Sequence, residues 1–428
     1  MSQTDTTAQV TTQWSKLRFL AIAGGISWMG STLTTFTVIL RYKDVFGPTG
    51  VSAIMLAMVI PNIIAAPYGG LLADRISARV LLTSLMGVMG LGSLIMAFDP
   101  GFVVSLACLA LTAFCGTPVG AAFTATLPEY ATAEDLPRVN GLMSTGMSVG
   151  MMFGPSLAGL LVSGTGSYFW PFMIDAASFW ILAAAVLFTG VDRKPQPHVE
   201  GEKTGMSEGV KVLWRNPLLR AFTSMVTVLI LSISVLNIGE VFLVMNILHA
   251  DAFVYGIVSA TFALGSTIGS VAITAMKLPE RRHIPMLLAS SMALALIMLA
   301  LAVAGHWAFV AVVWFVGGLA NAANNAYGMG LIMNRTPDAV RGRVMAAING
   351  LFSLANVISM GAGGVLLGIF GVREVFFAAG LVCVAVVVGF APSILKASRA
   401  ESAAEALAEQ PAESETSSAK PGAESTSA

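Results

Sequence analysis

Twelve stretches of apolar residues recur along the chain, near 19–40, 51–73, 80–98, 102–127, 139–163, 168–190, 221–248, 252–276, 284–304, 307–333, 344–370 and 375–395. A helix rises about 1.5 Å per residue, so some 20 apolar residues cross the roughly 30 Å hydrocarbon core of a bilayer. Apolar residues make up 56% of the 428 positions and charged residues only 11%, against about 25% charged in soluble domains. That much apolar surface has no place inside water-soluble cores, which excludes a soluble enzyme and a nucleic-acid binder. The 43 Gly, 23 Met and 23 Phe suit close helix packing and adaptable surfaces in lipid. Three cysteines, Cys108, Cys115 and Cys383, cannot make a disulfide framework and read as small buried hydrophobes.

Twelve crossings place both termini on one face, and cation placement says which. With the N-terminus inside, 20 of the 23 Lys and Arg fall on the cytoplasmic side, and only Arg41, Lys43 and Arg373 fall outside. The polar start, Met1 to Lys16, leads into the first span without a small-residue cleavage site, so no removed signal peptide is expected. The expected layout is an N-terminal tail (1–16), six spans (17–190), a cytoplasmic linker (191–219), six more spans (220–395) and a disordered tail (396–428). Val210, Leu213 and Trp214 give the linker an amphipathic segment suited to the inner membrane surface.

The two sets of six are related. L-P-E-Y-A-T-A-E-D-L-P-R-V-N-G before the fifth span and N-R-T-P-D-A-V-R-G-R-V-M-A-A-I-N-G before the eleventh each precede a Gly-rich helix. At a spacing of 209 residues Asn140-Gly141 aligns with Asn349-Gly350, Gly154 with Gly363 and Gly159 with Gly368. Parallel halves of this kind imply a carrier that rocks about a site between them, near mid-membrane.

Two motifs bear on mechanism. After the second span the chain reads G-L-L-A-D-R-I-S-A-R, in which Gly70 permits close helix approach while Asp74 and Arg75 end the helix, followed by Arg79. An ordinary helix stop with inner-face charges is the alternative. The fifth span carries Gly146, Gly150, Gly154, Pro155 and Gly159, a smooth face bent at the proline. The loop motif resembles the loop signature of the major facilitator superfamily, with Ser77 where that family usually has Gly. The glycine-proline helix resembles the superfamily's antiporter signature, G-x-x-x-G-P-x-x-x-G. T-P-D-A-V-R-G-R-V-M and L-P-E-Y with Asn140 are similar to its macrolide-efflux and enterobactin-exporter branch, and the resemblance covers about 17–395. It implies an all-α integral membrane fold of twelve helices. It also implies a loop that latches the inner gate, with Glu129 as the expected partner of Arg75. The Arg that many drug-proton antiporters carry in the fourth helix is absent from 102–127, so their coupling scheme does not transfer.

Only two carboxylates lie within apolar runs, Asp175 in the sixth and Glu240 in the seventh, both roughly 10 Å below the outer surface. In the superfamily the seventh helix lines the cavity and the sixth is peripheral, so Glu240 is the expected protonation site. A wetted acid or a packing hydrogen bond is its alternative, and for Asp175 a role in helix packing is the first reading. Family geometry draws the pocket from the first, fourth, seventh and tenth helices. These offer Trp28, Thr32, Thr35 and Phe36, then Thr112, Phe114 and Thr117, then Ser232, Ser234 and Asn237, and finally Trp314, Asn321, Asn324 and Asn325, with Asn62 nearby. Such a pocket, without a fixed cation, suits bulky amphiphiles better than anions.

The expected protein is a secondary exporter of the bacterial inner membrane, carrying a drug, antibiotic or secondary metabolite such as a siderophore, driven by proton antiport and working as a monomer. No Gly-Lys-Ser/Thr phosphate loop appears, and no cofactor, metal or catalytic residue is expected. An importer or facilitator on the same fold is the alternative. An integral-membrane enzyme or receptor is a more distant one, since His198, His249, His283 and His306 are scattered and the outer loops are short.

Overall fold

The computed structural model describes residues 11–194, 206–276, 279 and 282–409. Most of the N-terminal tail, much of the linker with Glu200, Glu202 and Lys203, the loop cations Lys277 and Arg281, and residues 410–428 lie outside the described residues.

The first two spans form one unbroken run of helix, α1 (Trp14–Arg75), except at Gly47, whose φ of 59° and ψ of −158° are not helical. Straight, its 62 residues would reach about 93 Å, three bilayer cores. Gly47 followed by Pro48 turns the chain back instead, because glycine alone takes that backbone conformation freely and proline donates no helix hydrogen bond. The return is visible where the Thr35 hydroxyl of the first limb meets the Met58 sulfur of the second at 3.6 Å. Single spans follow as α2 (Ala78–Ala97), α3 (Phe102–Thr126), α4 (Leu136–Thr165) and α5 (Phe169–Thr189).

After the linker come the short α6 (Met206–Arg215) and a seventh span in three pieces: α7 (Pro217–Ile233), α8 (Leu236–Val241) and a π-helical turn at Phe242–Ile247. The last five are α9 (Ala252–Met276), α10 (His283–Ala302), α11 (Trp307–Asn334), α12 (Asp338–Phe370) and α13 (Val372–Glu409). Among the described residues, eleven helical units are long and apolar enough to cross a membrane, and α1 supplies two crossings. The face bearing both described ends of the chain is called inner below, following the charge count.

Three expectations change. The C-terminal tail is not irregular from Lys396, because α13 continues to Glu409 through an Ala- and Glu-rich stretch of high helix propensity. The amphipathic segment is helical as α6, but it also docks on protein: Leu213 is buried and Gly209 rests against the Arg343 carbonyl of α12, while Val210, Lys211, Trp214 and Arg215 remain exposed. Lys43 is buried between the halves rather than solvated in an outer loop.

Packing follows the rule for lipid, where small residues let backbones approach. α1 packs on α3, α4 and α5, and α2 on α3 and α5; in the second set α11 packs on α9 and α10, and α13 on α7 and α10. The halves meet mainly through two pairs, α4 with α9 and the second limb of α1 with α12, with a smaller contact between α1 and α8. These pairs exchange under the 209-residue spacing, so each half offers its fifth helix to the second helix of the other.

Candidate functional site

At the inner end of the first half the expected partnership of Arg75 with Glu129 is not made. Arg75 is exposed, and the guanidinium beside Glu129 is that of Arg193, at 3.7 Å. Arg193 also reaches Asp74 at 3.3 Å and the Ala73 carbonyl at 3.5 Å. The chain leaving α5 is held there by further bonds: Ala78 N–H donates to the Arg193 carbonyl at 3.0 Å and Arg79 N–H to Asp192 Oδ1 at 3.0 Å, while the Tyr130 hydroxyl bonds the Asp192 carbonyl at 3.1 Å. Arg193 takes the position because it follows the sixth span by only a few residues and is tethered on both sides, whereas Arg75 ends α1 pointing to solvent. Replacing Arg193 with Ala is expected to lower stability by roughly 1 kcal/mol, about 2–4 °C in a thermal scan, while Arg75→Ala leaves the midpoint unchanged. Gly70, expected at a close approach, has open space beside it; its neighbour Gly69 lies against Thr117 and Ala121 instead.

The Gly-rich helix α4 divides its glycines between two tasks. A Cβ on Gly146 would meet the Ala21 carbonyl at 2.9 Å, one on Gly150 the Met29 nitrogen at 2.7 Å, and one on Gly154 the Thr32 hydroxyl, so these three face α1. Gly159 faces the other half, against the backbone of Ala252 and Phe253. Reciprocally, Gly256 of α9 rests on the Pro155 carbonyl, and Ser156 Oγ donates to the Gly256 carbonyl at 3.1 Å. In the repeat-related helix α12, Gly363 faces Val235, just before α8, and Gly364 faces Ser52 and Pro48 of α1, whereas Gly368 has open space.

The outer end is shut. Lys43 Nζ binds Asp44 at 2.7 Å and Asn246 Oδ1 of the other half at 3.4 Å, Asn246 Nδ2 binds Asp44 at 3.4 Å, and Ser52 Oγ donates to the Met360 carbonyl. Phe36 stacks on Tyr255 at 4.8 Å across the same seam. Toward the inner end Asn62, Tyr68 and Arg75 of α1, and Asn325, Met329 and Met333 of α11, are exposed.

The expected pocket residues do not share one vestibule: among the described residues they fall in two separate cavities, one inside each half. That in the second half, about 430 Å³, is lined by Ser234, Asn237, Glu240, Trp314, Asn321, Asn324 and Asn325 as expected. It is also lined by three polar or aromatic groups the sequence analysis missed: Ser259 and Phe262 of α9 and Asn356 of α12. Glu240 Oε1 accepts from Ser259 Oγ at 2.7 Å. The buried Trp314 indole N–H lies beside the same carboxyl without completing a hydrogen bond. Ser234 Oγ donates to Asn356 Oδ1 at 2.6 Å, Asn324 Nδ2 to Ser291 Oγ at 2.7 Å, and Asn325 Nδ2 to the Asn321 carbonyl at 2.9 Å. No Lys or Arg lines this cavity. One carboxyl with a hydroxyl donor, an indole N–H and a set of amides can hold and release a proton and can bind uncharged or cationic polar groups; it offers nothing to compensate an anion.

The cavity in the first half, about 290 Å³, is apolar, with Trp28 and Ser31 on α1 and methionines and glycines around them. The remaining pocket expectations divide. Thr32 bonds the Gly150 carbonyl at 3.2 Å and Thr35 the Ser31 carbonyl at 2.9 Å, so both hydroxyls serve packing of α1. Thr112 is turned toward Gly92 of α2. Thr117 donates to Asn62 Oδ1 at 2.9 Å, Phe114 is exposed, and Ser232 bonds back to the Val228 carbonyl at 3.1 Å.

Asp175 is away from both cavities. Its Oδ2 accepts from Thr34 at 2.7 Å and Ser93 at 2.6 Å, tying α5 to α1 and α2, and Gly30 leaves the room it occupies.

Apolar spans throughout, halves joined through matched helix pairs, and a cavity within each half define a polytopic membrane transporter. The sequence profile of the Major Facilitator Superfamily matches residues 20–245 and again 225–423, and the chain belongs to that family. It is 26% identical over 363 residues to the uncharacterized MFS-type transporter YfiS of Bacillus subtilis, covering 80% of this chain and 83% of that one. It is 24% identical to the enterobactin exporter EntS of Shigella flexneri, over 70% of this chain and 71% of the relative. A 30% identity to the multidrug resistance protein MdtG of Escherichia coli covers 50% of this chain and 55% of MdtG. Among solved structures the nucleoside transporter NupG superposes with a TM-score of 0.71 at 16% identity, over 89% of this chain and 98% of its own. A bacterial homologue of the human lysosomal transporter Spinster, inward-facing and unoccupied, gives 0.66 at 12% identity, over 90% and 98%. At these identities the structural likeness is one of fold.

Proposed function

We propose that this transporter exports amphiphilic small molecules, a drug, an antibiotic or a secondary metabolite such as a siderophore, by alternating access and proton antiport. Glu240 carries the proton, and no other cofactor takes part. The observation that carries the reading is the cavity around Glu240: one carboxyl, amide and indole partners, and no lining cation. An isolated carboxyl in that setting is stable in the neutral form and charges only when a proton acceptor or a cationic ligand reaches it. Alternating access is supported by the closed outer seam, which non-covalent contacts hold: the Lys43, Asn246 and Ser156 hydrogen bonds, the Phe36–Tyr255 stack and the α4–α9 approach. The printed functions of the relatives EntS and MdtG point the same way. The charge asymmetry supports a cytoplasmic position for both termini, and the proposed exporter works as a monomer in the inner membrane of a bacterial-type cell. Asp175 is assigned to packing of the first half.

The test is a drug-susceptibility panel with ethidium efflux in a host stripped of its own pumps, comparing empty vector, wild type and Asp74→Asn. Wild type is expected to raise resistance and to expel dye in a manner abolished by a protonophore, with Asp74→Asn reduced to near the empty vector. Uptake that ignores the protonophore would overturn export in favour of a facilitator.

A further inference from the structure

Tyr255 of α9 lines neither cavity. It is 2% exposed, and its ring stacks on Phe36 of the first half at 4.8 Å. Stacking needs only the ring. A buried phenol hydroxyl costs free energy unless a polar partner meets it, so phenylalanine would serve the seam better if packing were the whole purpose. The partner is Ser259, four residues on and therefore on the same face of α9. The Tyr255 hydroxyl lies beside Ser259, with the Glu240 carboxyl near it. Ser259 Oγ in turn donates to Glu240 Oε1 at 2.7 Å.

These groups are stepped in depth. Ala252 begins α9 at the outer face, which puts Tyr255 about 5 Å and Ser259 about 10 Å below that end, the second being the depth of Glu240. The hydroxyls thus lead from the outer seam to the carboxyl, and Phe36 covers the phenol ring while the seam is closed. The first half has no such file. V-F-G at 45–47 and V-Y-G at 254–256 align at the 209-residue spacing, so Phe46 stands in place of Tyr255, as Ser31 stands in place of Glu240. The phenol hydroxyl and the carboxyl occur in the same half. Toward the outer end, Asp251 before α9 accepts from Val254 N–H at 2.8 Å, and on the facing half Lys43 pairs with Asp44. No Lys or Arg lines the cavity at the inner end of the file, so the carboxyl is where an entering proton stops.

We propose that Tyr255 and Ser259 are the outer proton path to Glu240 and that Phe36 is its plug. A hydronium ion on the outer face gives a proton to Tyr255 Oη as the phenol's own proton passes to Ser259 Oγ and the serine's own to Glu240 Oε1. Each O–H bond broken is matched by one formed, leaving water, two unchanged hydroxyls and a neutral carboxyl. Because Phe36 and Tyr255 belong to different halves, opening of the outer seam withdraws the plug and closing restores it. The proposal rests on the reading of Glu240 as the proton carrier.

The test uses the purified full chain in vesicles of phosphatidylethanolamine and phosphatidylglycerol. With pyranine inside, no substrate and an acid step outside, Phe36→Ala is expected to leak protons several-fold faster than wild type. Adding Tyr255→Phe to that variant is expected to return the leak to the wild-type rate. Tyr255→Phe alone keeps the ring and its stack. It is expected to slow pH-driven ethidium transport at least about tenfold, while ethidium exchange at equal pH and the thermal midpoint stay as in wild type. Ser259→Ala should slow transport likewise, Ser259→Thr should restore it, and the Tyr255→Phe, Ser259→Ala pair should lose no more than either change alone, since groups in series are not additive. A Phe36→Ala protein as tight as wild type, a leak that survives Tyr255→Phe, or exchange that falls as far as pH-driven transport overturns the relay. A leak removed by Tyr255→Phe, alongside a wild type that moves no ethidium against a pH gradient, retains the relay and overturns export instead.

Discussion

Glu240→Gln is expected to abolish coupling between substrate and protons while leaving a folded, substrate-binding protein. Glutamine preserves the shape of the side chain and an oxygen for the Ser259 hydroxyl, but it cannot gain or lose a proton. One pH unit is worth about 1.4 kcal/mol per proton, so one-for-one antiport across a one-unit gradient sustains roughly a tenfold substrate gradient. In vesicles holding such a gradient, wild type is expected to reach that ratio and Glu240→Gln to stay near unity, while exchange of labelled for unlabelled substrate continues. Asp175→Asn should keep the gradient and lower the thermal midpoint, because that carboxyl joins three helices away from either cavity. Position also favours Glu240. The π-helical turn that begins two residues later carries Asn246 to the outer seam with Lys43 and Asp44. A change of charge at Glu240 therefore acts on the segment that closes the outer face, and π-helical turns are frequent at such functional points. A tenfold gradient retained by Glu240→Gln would remove the residue from coupling.

The spans were legible because lipid leaves the chain little choice: backbone polar groups must be bonded within helices, and each helix must be apolar for some 20 residues. Acidic residues within apolar runs were equally plain, and with the family's helix geometry they pointed to Glu240 on the seventh helix and the Asn321–Asn325 cluster on the tenth, which line one cavity. What resisted was rotation about each helix axis. One residue is about 100° of turn, which separates Gly69, packed on α3, from Gly70, which packs on nothing. It likewise turns Thr112 toward α2.

Arg193 went unrecognised as the partner of Glu129 because the pairing depends on where the chain goes after its sixth span, a tertiary fact that a loop motif does not contain. Asn356 was missed for a different reason, since the eleventh helix was not among those from which family geometry draws the pocket. A signal existed: the spacing that aligns Gly154 with Gly363 also aligns Asn356 with Met147. Carried along the pocket helices, that register also pairs Trp28 with Asn237, Ser31 with Glu240 and Gly116 with Asn325, each lining the cavity of its half.

Gly159→Val is expected to keep the outer face from closing. A Cβ at Gly159 falls on the Ala252 carbonyl and close to Phe253 Cα, which are backbone atoms that no rotamer change can move aside. The neighbouring contact of Gly256 on Pro155 interlocks with it, so α4 and α9 can separate there but cannot compress further. Because this contact belongs to the outer-closed state, valine should shift the population rather than unfold the protein. The readout is a disulfide across the seam, formed after Lys43→Cys and Asn246→Cys, residues that touch in the closed arrangement. Cross-linking is expected to slow at least about tenfold on adding Gly159→Val, equivalent to some 1.4 kcal/mol against closure, and dye efflux should fall in parallel. Gly154→Val supplies the contrast. Its Cβ would strike Thr32 within the first half, a contact present whichever face is open, so overpacking there should cost roughly 1–3 kcal/mol of stability without a preference between states. Equal cross-linking rates with glycine and valine at position 159 would show that the seam does not depend on the α4–α9 approach.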